Sequence, residues 1–323
     1  MMKYLEADDR ADIFVPHAFP ERTVDLGEIR MNYAVAGEPN LPALLLIPAQ
    51  GESWWGYEQA MALLADHFHV FAVDLRGQGR STWTPGRYTL DNFGNDLVRF
   101  IRLVIARPTI VSGLSSGGTL SAWLSAFAEP GQIRAAIYED PPLFASEANP
   151  AVGQSIRQGL GPIFLLWNKW LGDQWSVGNV EGLMRAMPRD LPPELLAGLA
   201  RMMPREEDGT PPAERVQSLR EYDPEWGRAF ATGTATAACD HANMLAHVKV
   251  PVLLTHHIRH VDESTGRLLG AMSDLQAARV RELVTAAGQD ITYRSFPDTP
   301  HAMHATDPKL YAQTVIDWVA GLA

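Results

Sequence analysis

Apolar runs of strand length alternate with amphipathic stretches along most of the chain. After an N-terminal pair of strands in "RTVDLGEIRMNYAVAG", joined at a Gly27 turn, the apolar runs are "PALLLIP", "HVFAVDL", "PTIVSGL", "RAAIYED", "VPVLLTHH" and "ITYRSFP". Helical periodicity covers residues 57–66, 90–106, 116–127, 275–287 and 308–322. Since solidly apolar strands that alternate with helices are typical of sheets buried on both faces, the pattern predicts an α/β fold with a mostly parallel sheet flanked by helices.

The pattern changes between Pro141 and about Thr236, where strand-like runs are missing and helical stretches are broken by prolines. This region is rich in large apolar side chains, namely Trp167, Trp170, Trp175, Trp226, Met184, Met187, Met202 and Met203. We therefore predict a core of residues 1–142 and 237–323, with a helical lid at 143–236 inserted after the sixth strand, over an apolar pocket. An ordinary helical layer, in which these side chains only pack, is the alternative.

Composition and charge narrow the class of partner. The 323 residues are 46% hydrophobic and carry 27 Lys and Arg against 38 Asp and Glu, a net charge of −11. Because a phosphate backbone would be repelled, nucleic acid is not expected. A single cysteine, Cys239, excludes an intrachain disulfide and favours a reducing compartment. Without an apolar leader or a membrane-length apolar window, we expect a cytoplasmic protein without membrane contact.

Two adjacent serines follow the strand "PTIVSGL", in Gly113-Leu114-Ser115-Ser116-Gly117. This stretch fits G-x-S-x-G, the sharp strand-to-helix turn that exposes a nucleophilic serine. The turn needs small residues two positions before and two after the nucleophile, and Gly113 and Gly117 provide them for Ser115. Ser115 is therefore the predicted nucleophile. The backbone N–H of Ser116, at the helix N-terminus, is a predicted oxyanion donor.

A second oxyanion donor is expected from the loop "PAQGESWW" after the strand "PALLLIP", with the N–H of Gln50 as the candidate. Trp54 and Trp55 follow directly. We expect Trp54 to wall the pocket, although packing under the first helix explains one of the two tryptophans equally well.

Ten histidines compete for the role of base. With a G-x-S-x-G turn, the catalytic residues follow along the chain in the order serine, acid, histidine. His301, in "FPDTPHAMHATDP", is favoured over His304 because it lies in the loop between the last strand and the last helix, where the histidine of that order belongs. His256, His257 and His260 crowd another strand end, but adjacent residues of an extended segment point to opposite faces. No metal site and no cofactor are therefore predicted.

Two aspartates are candidates for the acid that orients His301. Asp140 ends the strand "RAAIYED", at the carboxyl edge where open α/β sheets bind ligands, and it is preferred. Asp262 follows the strand that ends at His257, but "VDESTGR" also predicts a turn in which the Asp caps the backbone and Gly266 takes positive φ. Glu139 is a weaker candidate because it should point to the other face of the strand.

Residues 19–320 resemble the α/β-hydrolase superfamily. Within it they resemble the zearalenone lactone hydrolases, and in particular the bacterial branch of these enzymes. The stretches that carry the resemblance are "GLSSGG", "PGQIRAAIYEDPP", "EYDPEWGRAF", "GQGRSTWTP", "LLGAMSDLQA" and the histidine loop before Pro308. The resemblance implies Ser115, His301 and Asp140 as the triad, Gln50 and Ser116 as oxyanion donors, and Trp226 as a lid contact. An Asp stands where the fungal enzymes have Glu, and the lid differs in length.

The expected activity is hydrolysis of the ester in a macrocyclic, zearalenone-type lactone through an acyl-enzyme, without cofactor. A general carboxylesterase or a hydrolase of carbon–carbon bonds is the alternative enzyme, because function resides in the pocket and not in the fold. A small-molecule receptor on the same fold is the alternative from another class. We also expect a homodimer through the helical insert, from its apolar content.

Overall fold

Ten strands are found in the described part of the chain, which in this computed structural model comprises residues 4–171, 179–191, 193, 196, 213–262 and 266–322. They are β1 (Glu21–Asp25), β2 (Arg30–Ala36), β3 (Ala43–Ile47), β4 (His69–Val73), β5 (Thr109–Leu114), β6 (Ile133–Glu139), β7 (Val252–His256), β8 (His260–Val261), β9 (Leu268–Leu269) and β10 (Ile291–Ser295).

Eight of these strands form one sheet in the order β1-β2-β4-β3-β5-β6-β7-β10, and β8 pairs with β9 in a separate hairpin. The pairs β1–β2 and β2–β4 are antiparallel, whereas every pair from β4 to β10 is parallel. The predicted N-terminal hairpin turns at Gly27, where φ is +94°. The predicted fold class, a mostly parallel sheet flanked by helices, is confirmed.

Helices follow most strands, as the periodicity predicts. They are α1 (Glu58–Leu64), α2 (Leu90–Phe100), α3 (Ser116–Phe127), α4 (Arg157–Leu171), α5 (Val180–Asp190), α6 (Ala213–Arg220), α7 (Pro224–Thr232), α8 (His241–Leu245), α9 (Asp274–Ala286), α10 (Met303–Thr306) and α11 (Pro308–Ala320). A π-helical turn (Ile101–Ile105) extends α2, and 3₁₀ turns cover Ala7–Ile13 and Trp54–Tyr57. None of the helices in the described ranges combines the length and apolar character needed to cross a bilayer.

The central strands of the sheet are buried on both faces, which explains their solid apolar runs. Along β3, Leu45 and Ile47 pack into one apolar cluster, and Leu44 and Leu46 pack into the other. Side chains alternate between the two faces of a strand, so a strand covered by helices on both sides must be apolar at every position. The same arrangement brings the carboxyl ends of β3, β5, β6 and β7 together, because these strands are parallel neighbours.

Helices α4 to α7 occupy the stretch between β6 and β7, where the sequence predicts a lid. α4 packs along α7, and Pro162 lies inside α4. The boundaries of the predicted lid, residues 143–236, stay a prediction. Trp175, Met202 and Met203, which belong to the predicted aromatic and methionine-rich cluster, lie outside the described residues.

Candidate active site

Ser115 lies at the junction of β5 and α3 with φ +55° and ψ −116°, a backbone conformation that non-glycine residues rarely adopt. Its N–H donates to the Glu139 carbonyl oxygen at 2.9 Å, which ties the turn to the neighbouring strand. A Cβ at Gly113 would lie 2.3 Å from the Gly117 carbonyl, and one at Gly117 would lie 2.2 Å from the Ile47 carbonyl oxygen. Only glycine fits these two positions, as the sequence predicts for a turn centred on Ser115.

His301 and Asp140 are hydrogen-bonded, with 2.6 Å between His301 Nδ1 and Asp140 Oδ2. The other carboxylate oxygen, Oδ1, accepts the backbone N–H of His257 at 3.0 Å. Asp140 is fully buried, whereas the His301 side chain is 23% exposed. With Nδ1 donating to the carboxylate, Nε2 of His301 carries the free lone pair and can accept a proton.

The pair shifts both pKa values toward the charged forms. Burial lowers the pKa of His301, but the hydrogen bond and charge of Asp140 outweigh it, and the pKa is raised above the ordinary histidine value. Burial raises the pKa of Asp140, yet the hydrogen bond from His301 and the charge of His257 more than compensate, so the pKa is lowered. The carboxylate therefore stays ionised and stabilises a protonated His301.

Asp262 directly follows β8, in the segment "VDESTGR" for which the alternative interpretation is a turn. Its N–H donates to the Arg267 carbonyl at 2.9 Å, and its own carbonyl accepts the N–H of Gly266 at 2.7 Å. Gly266 has φ +66°, as that turn requires. Of the two candidate aspartates, the structure brings Asp140 and not Asp262 to His301 Nδ1.

A second carboxylate–histidine pair lies beside the first. Glu139 accepts both the backbone N–H of His304, at 3.1 Å, and its Nδ1, at 3.2 Å. The His304 ring stacks on Tyr57 with 3.9 Å between centroids and is 1% exposed. Burial lowers the pKa of His304, but the negative charge of Glu139 outweighs it and the pKa is raised.

The two predicted oxyanion donors lie near Ser115 on separate elements. Ser116 is the first residue of α3, and Gln50 follows β3 in the loop that precedes the Trp54–Tyr57 turn. Both line the same cavity as Ser115. Within the described part of the chain, neither backbone N–H donates to a protein acceptor, so both are available to a ligand oxygen. The Gln50 side chain is engaged elsewhere, since its Nε2 donates to Tyr222 Oη at 2.6 Å.

A cavity of about 680 Å³ opens above Ser115 and His301, within the range of small-molecule sites. Its apolar wall comes largely from the helices between β6 and β7, including Ile163 and Trp167 of α4, Met184 and Met187 of α5, and Trp226 and Phe230 of α7. Glu52 and Glu58 also line it. Among the described lining residues there is no Lys or Arg.

Trp226 and Trp54, the two tryptophans predicted to contact the substrate, lie in different surroundings. Trp226 lines the cavity and packs against Phe93 at 4.4 Å between ring centroids, and its contact with a substrate stays a prediction. Trp54 does not line the cavity: it is fully buried, and its indole N–H donates to Glu21 Oε1 at 2.9 Å. Trp55 lines the cavity instead. A 3₁₀ turn starts at Trp54 and sends these neighbours in different directions, which the sequence pattern does not specify.

The histidines at the end of β7 are used in structural hydrogen bonds. His256 Nε2 bonds the Met272 carbonyl at 2.9 Å, and His257 Nδ1 bonds the His301 carbonyl at 2.8 Å. Across the described ranges, no three His, Cys, Asp or Glu side chains are grouped so as to hold a metal ion. Glu52, Gln78 and Tyr222 were not singled out from the sequence. Glu52 and Gln78 lie in loops that follow the carboxyl ends of β3 and β4, and Tyr222 directly precedes the "DP" at the start of α7. These positions are the signals that could have pointed to them.

A sequence model described as "Alpha/beta hydrolase family" matches residues 44–314. The chain is 29% identical over 144 residues to 3-oxoadipate enol-lactonase 2 of Acinetobacter baylyi, covering 44% of this chain and 54% of the relative. It is 29% identical over 153 residues to 2-(acetamidomethylene)succinate hydrolase of Mesorhizobium japonicum, covering 47% and 54%. The chain thus spans about half the length of these curated relatives.

Solved structures share the fold over nearly the whole chain. The crystal structure of E-2-(acetamidomethylene)succinate hydrolase superposes with a TM-score of 0.66 at 19% identity, covering 94% of this chain and 100% of that one. The enol-lactonase of Burkholderia xenovorans gives a TM-score of 0.64 at 17% identity, covering 93% and 100%. At these identities the likeness concerns the fold.

Proposed function

Because the chain belongs to the alpha/beta hydrolase family, we propose that it is a serine hydrolase that opens the ester of a neutral macrocyclic lactone of the zearalenone type. The observation that carries the proposal is that Ser115, on its strained turn, and His301, bonded to Asp140, line one large apolar cavity. These are the parts that acyl transfer requires, namely a nucleophile, an oriented base and a protected space for the substrate.

In the proposed reaction, His301 Nε2 removes the proton of Ser115 as the hydroxyl oxygen attacks the lactone carbonyl carbon. Asp140 holds Nδ1 and stabilises the imidazolium that forms. The carbonyl electrons move onto oxygen, and the N–H groups of Gln50 and Ser116 bind this oxyanion. The carbon–oxygen bond to the ring alcohol then breaks, and His301 returns the proton to the departing alkoxide.

The ring is now open, and its acyl end is an ester of Ser115. A water molecule deprotonated by His301 attacks that ester, and Ser115 leaves with the returned proton. In a lactone the alcohol stays tethered to the acyl group, so ring closure competes with attack by water. We propose that the aromatic wall around Trp226 favours hydrolysis by holding the freed alcohol away from the acyl carbon.

The charge of the cavity supports a neutral substrate. The two curated relatives are named after derivatives of oxoadipate and succinate, which are dicarboxylates. Here Glu52 and Glu58 line the cavity, and the described lining residues include no Lys or Arg. A buried carboxylate of the substrate would find no Lys or Arg among these residues, and of them only His301 and His304 could supply a positive charge, so its desolvation would be poorly compensated. An uncharged, largely apolar ring suits both the charge and the volume.

The test compares turnover of zearalenone, 4-nitrophenyl acetate and 3-oxoadipate enol-lactone by purified protein. We expect the highest kcat/KM for zearalenone and the lowest for the enol-lactone, which carries a free carboxylate. Ser115→Ala should lower kcat by about 10⁶-fold, because nucleophile and base act as a unit. Ser116→Ala is the matched variant: it removes the neighbouring hydroxyl but retains the backbone N–H, so hydrolysis should persist.

Three outcomes contradict the proposal in different ways. Turnover of 4-nitrophenyl acetate alone would make the protein a general carboxylesterase. Zearalenone binding without turnover by the wild-type protein would indicate a receptor. Undiminished hydrolysis by Ser115→Ala would remove the nucleophile on which the whole mechanism depends.

A further inference from the structure

The peptide bond between Ala49 and Gln50 supplies one of the two proposed oxyanion donors, and we call it the oxyanion peptide. Its N–H belongs to Gln50, and its C=O belongs to Ala49. No cis peptide bond is found in the described chain. In a trans peptide the C=O and N–H point in opposite directions within one plane. Whatever holds the Ala49 carbonyl therefore also sets the direction of the Gln50 N–H.

Gln78 holds that carbonyl. Its Nε2 donates to the Ala49 carbonyl oxygen at 2.7 Å, and the backbone N–H of Glu52 donates to the same oxygen at 3.2 Å. A carbonyl oxygen has two lone pairs, so both are used. Gln78 is 1% exposed, and its own Oε1 makes no hydrogen bond within the described residues. A buried amide with an unsatisfied oxygen costs stability. This indicates that the position of the Gln78 side chain is determined by the hydrogen bond that its Nε2 donates.

Tyr222 holds the side chain of Gln50, the residue whose N–H belongs to the oxyanion peptide. Its hydroxyl oxygen accepts Nε2 of Gln50 at 2.6 Å, and it is 1% exposed. Tyr222 also forms an antiparallel bridge with Gln78, and the N–H of Asp223 donates to the Gly77 carbonyl at 2.8 Å. The two holding side chains are therefore joined to each other through their backbones.

Neighbouring contacts continue this connection along the loop that carries Gln50. Glu221 is 2% exposed and accepts hydrogen bonds from Ser53 Oγ at 2.9 Å and from the Trp55 indole N–H at 3.0 Å. Residues 221–223 precede α7, the helix that bears Trp226. The loop is thus attached to the start of the cavity's aromatic wall.

We propose that Gln78 and Tyr222 are positioning residues that aim the Gln50 N–H at the oxyanion, and that through Tyr222 this aim depends on the helical insert. The inference rests on the proposed function. Neither side chain lines the cavity, so both act through the oxyanion peptide. Preorganised donors accelerate acyl transfer because they need no reorientation as charge develops on oxygen.

The expected loss is smaller than that of a deleted donor, because the N–H is still present but less well aimed. Removing a donor costs about 10²- to 10³-fold in kcat, so we expect Gln78→Leu to lower kcat by about 10- to 100-fold and Tyr222→Phe by about 3- to 10-fold. KM should stay within about twofold, because the oxyanion forms only after substrate binding. The double variant should lose less than the product of the two single losses, because one side chain holds Ala49, the other holds Gln50, and both therefore act on the same N–H.

The experiment measures kcat and KM with 4-nitrophenyl acetate, the Kd of phenylboronic acid, which forms a tetrahedral adduct with a serine, and the Tm of each variant. Affinity for the tetrahedral adduct should fall by the same factor as kcat. Tyr138→Phe is the matched control: it removes an equally buried tyrosine hydroxyl, bonded to Ser125 at 2.6 Å and absent from the cavity wall. Its kcat and boronate Kd should match those of the wild type.

The inference is overturned if folded Gln78→Leu and Tyr222→Phe keep wild-type kcat and boronate affinity, or if their losses lie in KM alone. Should Gln78→Leu fail to fold, Tyr222→Phe and Gln78→His decide the matter. Gln78→His retains a side-chain N–H donor, so it should keep a larger fraction of the wild-type kcat than Tyr222→Phe. Failure of the proposed function is a separate result, because it is read on the wild-type protein, which would then not turn over zearalenone, whereas the inference is read on kcat of the variants with 4-nitrophenyl acetate.

Discussion

The end of β6 holds two carboxylate–histidine pairs, Asp140 with His301 and Glu139 with His304. The carboxylates are consecutive in sequence, the histidines are three residues apart, and in both pairs Nδ1 faces the carboxylate. Their surroundings differ. The His301 side chain is 23% exposed toward the cavity, whereas His304 is 1% exposed and stacked on Tyr57.

Both histidines border the cavity, so the comparison teaches that the exposed fraction of the imidazole, more than its pairing with a carboxylate, separates the proposed catalytic pair from the structural one. Glu139 is the last residue of β6, and Asp140 leaves the strand with φ +40°, so their side chains take different directions. Glu139 fixes both the backbone and the ring of His304. It thereby anchors the loop that carries His301, while Asp140 orients the imidazole that faces the cavity.

The largest expected effect separates the two histidines. His301→Ala should lower kcat by about 10⁶-fold, as expected when the base of a serine–histidine unit is removed. His304→Ala should leave far more activity and instead lower the Tm, because it leaves the buried Glu139 charge unpaired. Steady-state kinetics and thermal melting of both variants measure this. Equal losses of kcat would show that the distinction is wrong.

The next effect separates the carboxylates. Asp140→Asn should lower kcat by about 10⁴-fold, since an amide cannot stabilise the imidazolium and favours the wrong tautomer of His301. Glu139→Gln keeps an acceptor for the backbone N–H of His304 and should cost much less activity. The comparison of kcat between these two isosteric variants, with Asp262→Asn as a third, is the measurement. A larger loss in Asp262→Asn than in Asp140→Asn would move the acid to the hairpin.

The smallest effect is a pair of pH dependences with opposite signs. Burial opposes protonation of both histidines, but their carboxylates outweigh it, so both pKa values are raised. Protonated His301 cannot accept the Ser115 proton, and kcat/KM should fall as pH decreases through its raised pKa. Protonated His304 stabilises the fold, and that contribution is fully present below the histidine pKa of the unfolded chain and is lost as pH rises through the raised pKa.

At low pH, the stabilisation by protonated His304 ends when Glu139 itself takes up a proton. The pKa of Glu139 is lowered, because the charge and hydrogen bond of His304 outweigh burial, so this happens only in acid. The Tm difference between wild type and His304→Gln should therefore be largest at mildly acidic pH and shrink toward alkaline pH. A pH-rate profile and melting curves on the same buffers check both signs. A Tm difference that grows with pH would contradict the assignment of His304.

Much of this arrangement could be predicted from the sequence wherever a short stretch of residues allows only one local conformation. The turn at Ser115 is one case, because a G-x-S-x-G stretch between a strand and a helix fixes both the backbone and its glycine neighbours. The apolar runs of the parallel strands are another, since burial on both faces leaves no other pattern. His301 and Asp140 could be ranked above their competitors by their place at the carboxyl ends of strands.

The rest depends on contacts between distant segments. Trp54 and Trp55 are adjacent and chemically equal, and only the tertiary fold buries the first against Glu21 and turns the second toward the cavity. Gln78 and Tyr222 are 144 positions apart in sequence, yet they bridge each other. No periodicity along the chain encodes such a contact, so these residues were not predicted.

The acidic lining of the cavity has a consequence for turnover. An ester enters uncharged, but its hydrolysis leaves a carboxylic acid that is ionised at neutral pH. Because Glu52 and Glu58 line the cavity and no Lys or Arg is among the described lining residues, the cavity disfavours the new anion more than the neutral ester. The same charges that admit a neutral ring would thus expel the opened one, and product inhibition should be weak.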